Sequence, residues 1–297
     1  MNANPSLDPL YLAARQVLLD ALGALSRHLD ALVLVGAQAI YLHTDDAELD
    51  IAIAPFTADA DLAVDTRRLP GEPQLAKAML DAGFSLKIKS AGGVEPGSWI
   101  RQVDVDGRPR TVPVDLIVPA ALADGHGRRD ARLPAHGERA ARWANGLEAA
   151  VIDNAPMRIL SLEPHADARE ATVKVASVAA LLIAKCHKIH ERLDQDPPRP
   201  VRIKSKDAGD VIRLMRGSTT PSEIGATLAL LSQNSTAGAS VVIGFDYLRK
   251  LFEYPRSPGV TLAADALRGA LTEEEVRVVA PEFVSGVVGS YLSRLRR

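Results

Sequence analysis

Cysteine is nearly missing from this sequence. Cys186 is the only one, which excludes an internal disulfide and a cysteine-built zinc site and fits a reducing compartment. Aromatic residues make up only 4%, too few for a platform on which single-stranded bases would stack. Net charge is scarce as well. The 35 Lys and Arg stand against 37 Asp and Glu, a balance of -2. No global basic field draws in nucleic acid, so any polyanion site must be a local patch. Long apolar runs are lacking too. The best, Val173 to Cys186, is interrupted by Lys174 and Lys185, and no membrane span is expected. Met1 to Leu10 has neither a basic n-region nor an apolar h-region, so no signal peptide is expected. No internal repeat is found. What remains is 297 residues, 47% hydrophobic and 24% charged, room for one large domain or two ordinary ones.

The organising stretch is Thr57 to Asp65. Leu62 to Val64 and the neighbouring alanines read as a buried strand. Side chains alternate along a strand, so Asp59 and Asp61 point to one side. Two carboxylates held a few ångströms apart repel each other. A divalent cation between them removes that penalty, and Mg²⁺ is typically held by one or two carboxylates plus phosphate oxygens. Solvated acids on a sheet edge are the plainer alternative, since D-x-D is a short pattern.

Upstream, Asp8 can cap a helix from about Pro9 to His28. Ala31 to Val35 reads as a short buried strand, and Gly36-Ala37-Gln38 turns into a helix that fades near His43. A strand, a glycine and a helix start present free backbone N–H groups where phosphate oxygens can sit. Tight strand-to-helix packing would equally require a small residue there. Thr44 to Phe56 reads as a connection carrying Asp45, Asp46, Glu48 and Asp50, with a short strand over Leu49 to Ala54. Beyond the D-x-D strand come a helix from Glu72 to Gly83 and strands over Phe84–Lys89 and Ser98–Val105. Asp106-Gly107 is a hairpin signal, and Arg110 to Val118 is the return strand.

That return strand is apolar on both faces except for Asp115. A lone carboxylate in such a run needs a partner. An arginine or a backbone cap would satisfy it. Alternatively, if this strand lies beside the D-x-D strand, three carboxylates converge. Three acids can hold two metals and activate a hydroxyl for attack on a nucleotide α-phosphorus. In that arrangement Asp59 and Asp61 are shared metal ligands, and Asp115 completes one site and can act as general base.

Ala121 to Asn145 is richer in arginine, with Arg128, Arg129, Arg132, Arg139 and Arg142 among His126 and His136. It reads as loop before helix, either a solvated face or a phosphate-tracking patch. Leu147–Ile152 and Met157–Leu162 are candidate peripheral strands, and Val173–Ala176 a last short one. Ser177 is a candidate N-cap for a helix from Val178 to Arg192. Lys185 interrupts its apolar side, where it could snorkel to solvent or reach an anion, and Arg192 follows two turns on. His187 and His190 have metal-pair spacing but no further ligand near in sequence, which favours a surface pair. Pro197 to Pro200 is a stiff link. If Asp207 lies in a helix, Lys206 and Asp210 become neighbours at i,i+4. Helices expected over Ser222–Ser232, Gly244–Phe252, Thr261–Leu271 and Pro281–Arg296 complete a bundle.

The pieces resemble a known family. A glycine closing a strand, a later D-x-D strand and a third Asp on a neighbouring strand are similar to the polymerase-beta-type nucleotidyltransferase superfamily. Ala184-Lys185-Cys186-His187-Lys188-Ile189-His190-Glu191-Arg192 and Lys206-Asp207-Ala208-Gly209-Asp210-Val211 look like two further motifs of one branch. That branch is the AbiEii-type toxins of type IV toxin–antitoxin systems, with the MenT-like group among them. The resemblance covers about Leu32 to Leu214. It implies an α+β (mixed α/β) fold: a mixed sheet flanked by helices in a core domain over 1–170, then a C-terminal helical domain over 171–297. The active site is expected in the cleft between them.

It also implies a cytoplasmic, Mg²⁺-dependent enzyme with a two-metal site, moving a nucleotide from an NTP to an acceptor hydroxyl. In the characterised toxins the acceptor is the 3′ end of tRNA. The implied metal ligands are Asp59, Asp61 and Asp115. Lys185 would hold the triphosphate, and Gly36, Ala37, Arg192, Lys206, Asp207 and Asp210 would contact the nucleotide. Implied partners are NTP, an RNA acceptor and a cognate antitoxin from a neighbouring gene, with no membrane. Gly36 is followed by Ala37 where the family usually shows Gly-Ser or Gly-Gly, so the hydroxyl is missing while the backbone N–H groups remain. The gap from Gly36 to Asp59 is also longer than usual. Transfer to a protein or small molecule, a nucleotide- or RNA-binding member with weak catalysis, and a structural α/β protein are the rival readings.

Overall fold

The computed structural model describes residues 7–44, 57–124, 129–195 and 204–296. The Leu49–Ala54 strand, the acidic residues Asp45, Asp46, Glu48 and Asp50, His126 with Arg128, and the Pro197–Pro200 link lie outside them. The fold is mixed α/β, a mixed sheet flanked by helices with further helices toward the C-terminus, as expected. No helix among the described residues is long and apolar enough to cross a membrane.

The chain divides into two compact units. One takes Met1–Gln38, Ala54–Ala144 and Asn154–Ala176, and the other takes Ala39–Ile53, Asn145–Asp153 and Ser177–Arg297. The two units interleave along the chain.

The first unit is built on one sheet. Its strands are β1 (Leu32–Val35), β2 (Ala60–Val64), β3 (Ser85–Ile88), β4 (Val94–Val105), β5 (Arg108–Pro119), β6 (Arg142–Ala144), β7 (Asn154–Leu160) and β8 (Glu170–Ala176). Their order is β3-β4-β5-β2-β1-β8-β7, with β6 paired to β5 off this path. β1 lies between β2, which is antiparallel to it, and β8, which is parallel. Enclosed on both sides, β1 is buried at all four positions, which is why Leu-Val-Leu-Val carries no polar residue. Helix α1 (Pro9–Ala24) packs across β2, β4, β5 and β8. Asp8 caps it, with Oδ1 accepting from the N–H groups of Leu10 and Tyr11, and Pro9 opens the first turn. Leu18, Leu22 and Leu25 are wholly buried. Each stabilises the fold by about 1.5–3 kcal/mol through burial. The expected helix to His28 instead stops at Ala24, with Gly23 in its last turn, and tightens to a 3₁₀ turn over Ser26–Ala31.

Helix α2 (Gly36–Thr44) follows β1 directly, and α3 (Leu75–Asp81) is shorter than expected. The Asp106-Gly107 turn joins β4 to β5 with positive φ at both residues, as a two-residue hairpin requires. Between Ala121 and Asn145 no helix forms among the described residues. The segment instead makes the 3₁₀ turn Pro134–His136 and the strand β6.

The second unit is helical: α4 (Glu148–Ile152), α5 (Val178–Leu193), α6 (Ser205–Met215), α7 (Pro221–Leu231), α8 (Gly238–Phe252), α9 (Pro258–Ala266) and α10 (Glu273–Leu295). α4 replaces the strand expected over Leu147–Ile152. Glu148, Ala149 and Ala150 are strong helix formers, and they outweigh the β-branched residues after them. Ser177 caps α5 as expected, its hydroxyl accepting from Ala180 N–H. α7 and α10 each open with a capping box, Thr220 with Glu223 and Thr272 with Glu275. The box at Thr272 and its three acids start α10 well before Pro281, which the sequence suggested as the first residue. The helix runs through that proline. Gly225 lets α7 meet α10 closely, since a Cβ there would lie 2.4 Å from Val287 O.

Candidate functional site

The sheet places two acids side by side. β2 and β5 are parallel neighbours, with Asp61 opposite Asp115 and Ala60 opposite Val114. Residues in register on adjacent strands share a face, with backbones roughly 4.8 Å apart. On the other side of β2, Asp61 is opposite Val35, the last residue of β1. Gly36 follows at φ +72, and a Cβ there would lie 2.2 Å from Asp61 Oδ2. Glycine is required at this position twice, by its backbone conformation and by the carboxylate. Ala37 and Gln38 continue the first turn of α2. Gln38 is buried, donates to the carbonyls of Ala14 and Asp59, and accepts from buried Arg15. Asp59 precedes β2, and its Oδ1 accepts from the Thr57 hydroxyl at 2.5 Å.

Arg142 is the member of this centre that sequence reasoning placed elsewhere, in an arginine-rich solvated face or phosphate patch. It sits on β6, opposite Ile117 of β5. Its Nη2 donates to Asp115 Oδ2 at 2.6 Å, and both side chains are 19% exposed. Burial alone would pull its pKa down, but the charges of Asp115 and Asp61, with a hydrogen bond to Asp115 and the charge of Glu95, hold it above the usual arginine value. A signal was present in the sequence. Ala140-Ala141-Arg142-Trp143-Ala144 is an apolar run with one charge, as is the run around Asp115, and each charge needed a partner.

The contact is single rather than bidentate. Asp115 Oδ1 and Arg142 Nε are buried and have no hydrogen-bond partner. Each such orphan costs about 1–3 kcal/mol. The backbone around Arg142 is held closely. Gly97, at φ +68, donates to Arg139 O, and a Cβ on it would lie 2.3 Å from Arg142 N. Trp143 N donates to Arg129 O.

These residues fit a magnesium ion in one form. Among the described residues no three Asp, Glu, His or Cys form a group that could hold a metal on their own. Mg²⁺ does not require one, because it is commonly held by one or two carboxylates with phosphate oxygens completing the shell. Asp61 and Asp115 supply two carboxylates in register, and Asp115 Oδ1 is an acceptor with nothing to accept from. Asp59, two residues before Asp61, does not complete a group of three with them.

The second unit carries a different charge cluster. Lys185, Lys188 and Arg192 share a face of α5, spaced by one and then about another turn. Lys185 is buried, and its Nζ donates to Asp207 Oδ1 at 2.8 Å and Asp210 Oδ2 at 2.7 Å, both on α6. Lys188 Nζ is 3.1 Å from Asp207 Oδ1, and Arg192 donates to Asp207 Oδ2. Burial would lower the Lys185 pKa, but the charges of Asp207 and Asp210 raise it above its usual value. Burial would raise the Asp207 pKa, but Lys185, Lys188 and Arg192 hold it well below the carboxylate range. Lys206 stands on α6 beside Asp207, half-buried, while Asp210, one turn further along, directs Oδ2 to Lys185. Two of the three ammonium donors of Lys185 are therefore directed at carboxylates.

Two histidines of α5 depart from the surface pair expected of them. His187 is buried, with Nε2 donating to Ser240 O at 2.8 Å, and His190 stacks on Tyr247 at 3.7 Å. Cys186 is buried beside them, and burial raises its thiol pKa well above the usual value.

No protein-family model matches this chain, and no curated protein matches it.

Proposed function

We propose that the chain is a cytoplasmic, Mg²⁺-dependent nucleotidyltransferase that moves a nucleotide from an NTP to an acceptor hydroxyl. The observation that carries this reading is the in-register pair Asp61–Asp115 with Gly36 packed against Asp61. Two carboxylates beside the N–H groups of a helix start are what a metal-bound triphosphate needs on its protein side. Asp61 and Asp115 would hold the ion together with phosphate oxygens, and Asp115 is the candidate base for the acceptor hydroxyl. The ion, when bound, would polarise phosphoryl oxygens and stabilise charge in the transition state. Backbone N–H groups at Gly36 and Ala37 would orient the phosphates, without the hydroxyl that a serine at 37 would add.

Roles for Lys185, Arg192, Lys206, Asp207 and Asp210 toward the nucleotide follow from the motif resemblance to AbiEii-type toxins. So do the 3′ end of tRNA as acceptor, a type IV toxin role and a cognate antitoxin. A specific observation favours a second reading. Arg142 neutralises Asp115, and Ala37 lacks a hydroxyl, as a nucleotide- or RNA-binding member with weak catalysis would have.

Label transfer separates the readings. Purified protein is incubated with Mg²⁺, each α-³²P-labelled NTP and total RNA, beside an Asp59→Ala/Asp61→Ala double variant. Label on tRNA-sized RNA with the unaltered protein alone is the expected result. Label on protein or small molecules instead would move the acceptor. NTP binding without transfer would favour the second reading.

A further inference from the structure

Arg142 combines a fixed backbone with an incompletely satisfied side chain. β5, Gly97 and Arg129 hold the main chain around it. The guanidinium makes one hydrogen bond to Asp115 Oδ2, and its Nε and the other oxygen of Asp115 have no hydrogen-bond partner. A structural arginine–carboxylate pair would gain by closing into the bidentate fork. Asp61 and Glu95 also bear on this cation. Its position is therefore that of a positive charge serving an acid pair, on a long side chain carried by a strand that is held in place.

We propose that Arg142 is a built-in counter-ion of the Asp61–Asp115 pair that competes with a divalent cation for it. Metal affinity at the sheet centre is set by how readily Arg142 leaves Asp115. Before the ion arrives, Arg142 relieves the repulsion between the two acids and keeps the strands in register. When the ion arrives, Arg142 releases Asp115 Oδ2 and becomes a free cation beside bound phosphates. This inference rests on the metal-dependent reading above, and the experiment below separates the failure of one from the failure of the other.

The probe is Mn²⁺, with the free ion followed by electron paramagnetic resonance in the full chain and no nucleotide added. Arg142→Gln is expected to bind Mn²⁺ about tenfold more tightly than the unaltered protein, since one competing unit charge is gone. Arg142→Lys keeps the charge and is expected to stay within about threefold of it. Asp61→Asn is expected to abolish binding. Equal or weaker binding by Arg142→Gln, with the unaltered protein binding normally, overturns the counter-ion and leaves the metal site standing. No binding by any of them overturns the counter-ion and leaves a nucleotide-dependent metal site standing, whereas binding that Asp61→Asn leaves intact overturns both.

A second measurement needs no folded Gln variant. The Nε–H resonance of Arg142, assigned by its loss in Arg142→Lys, should shift on saturation of the unaltered protein with Mg²⁺. A resonance that stays in place under saturating Mg²⁺ overturns the proposal.

Discussion

At the sheet centre, Arg142 meets Asp115 through one hydrogen bond and leaves a carboxylate oxygen without a partner. On α5 and α6, Lys185 meets two carboxylates, and Asp207 meets three cations. The residue types are the same and the outcome differs. The helical cluster closes its buried charges on itself, so removing Lys185 strands Asp207 and Asp210 in a buried place. The sheet centre holds its acids in register by backbone pairing and leaves one oxygen of Asp115 unused. Unused capacity at a fixed position is what a ligand can take up, whereas a closed network mainly ties two helices together. Lys185, which the family resemblance implies as the holder of a triphosphate, is in this structure a partner of Asp207 and Asp210.

The largest effect should come from opening the closed cluster. Lys185→Met leaves Asp207 and Asp210 without their buried partner and should cost about 3–5 kcal/mol of stability in a urea melt. A variant as stable as the unaltered protein would break the contrast between the two clusters. Next comes the backbone that holds the sheet centre. Gly97→Ala forces a Cβ to within 2.3 Å of Arg142 N at a positive φ. It should cost about 2–4 kcal/mol, read by thermal unfolding.

Acid should separate the regions further. His28 and His136 are buried in the sheet unit with their rings 5.8 Å apart, and Nδ1 of each has no partner. Burial, then the charge of His28, lowers the His136 pKa, with Glu72 pulling the other way. The unfolded chain therefore takes up the proton first. Stability from a neutral His136 is complete above about pH 6.5 and falls below it, by at most about 1.4 kcal/mol per pH unit. Asp207 behaves oppositely in range. Its pKa is depressed, so its contribution is complete above the unfolded carboxylate value near 3.9 and is lost only in stronger acid. Segment-resolved hydrogen exchange between pH 7 and 5 should show the Pro134–His136 turn loosening while Asp207 on α6 keeps its partners, and His136→Gln should flatten the slope.

The smallest stability effect is expected where function should suffer most. Asp61→Asn keeps the shape and relieves repulsion with Asp115, so stability should change by less than about 1 kcal/mol while nucleotide transfer is lost. A large loss of stability would mean that the sheet centre is as closed as the helical cluster.

Much of this arrangement was legible along the chain. Gly36 after a buried strand, two acids two residues apart and a lone Asp115 in an apolar run are local patterns. So is Ser177 before an apolar helix. Each is read from spacings of a few residues, which the geometry of helix and strand fixes. The misreadings share a cause. Arg142 looked like one arginine among several, because charge runs say nothing about which member turns inward. The strand expected at Leu147–Ile152 was a helix, because six residues carry too little periodicity to separate the two. Pro281 looked like a helix start, because a capping box upstream outweighs one missing N–H group.

The sequence by itself determined the inventory: one cysteine, no membrane-length helix among the described residues, a buried β1, caps for α1 and α5, and carboxylates in strands that cannot leave them unpaired. Only the tertiary structure decided the pairings. Asp61 lies beside Asp115 because β2 and β5, distant in the chain, are parallel neighbours in one register. Arg142 reaches Asp115 because β6 returns to β5 past a glycine that allows the approach. Lys185 is closed by α6 and not by a residue on its own helix. Local rules act over a helical turn or a strand's alternation. Which charges meet across strands and helices depends on chain crossings that those rules do not contain.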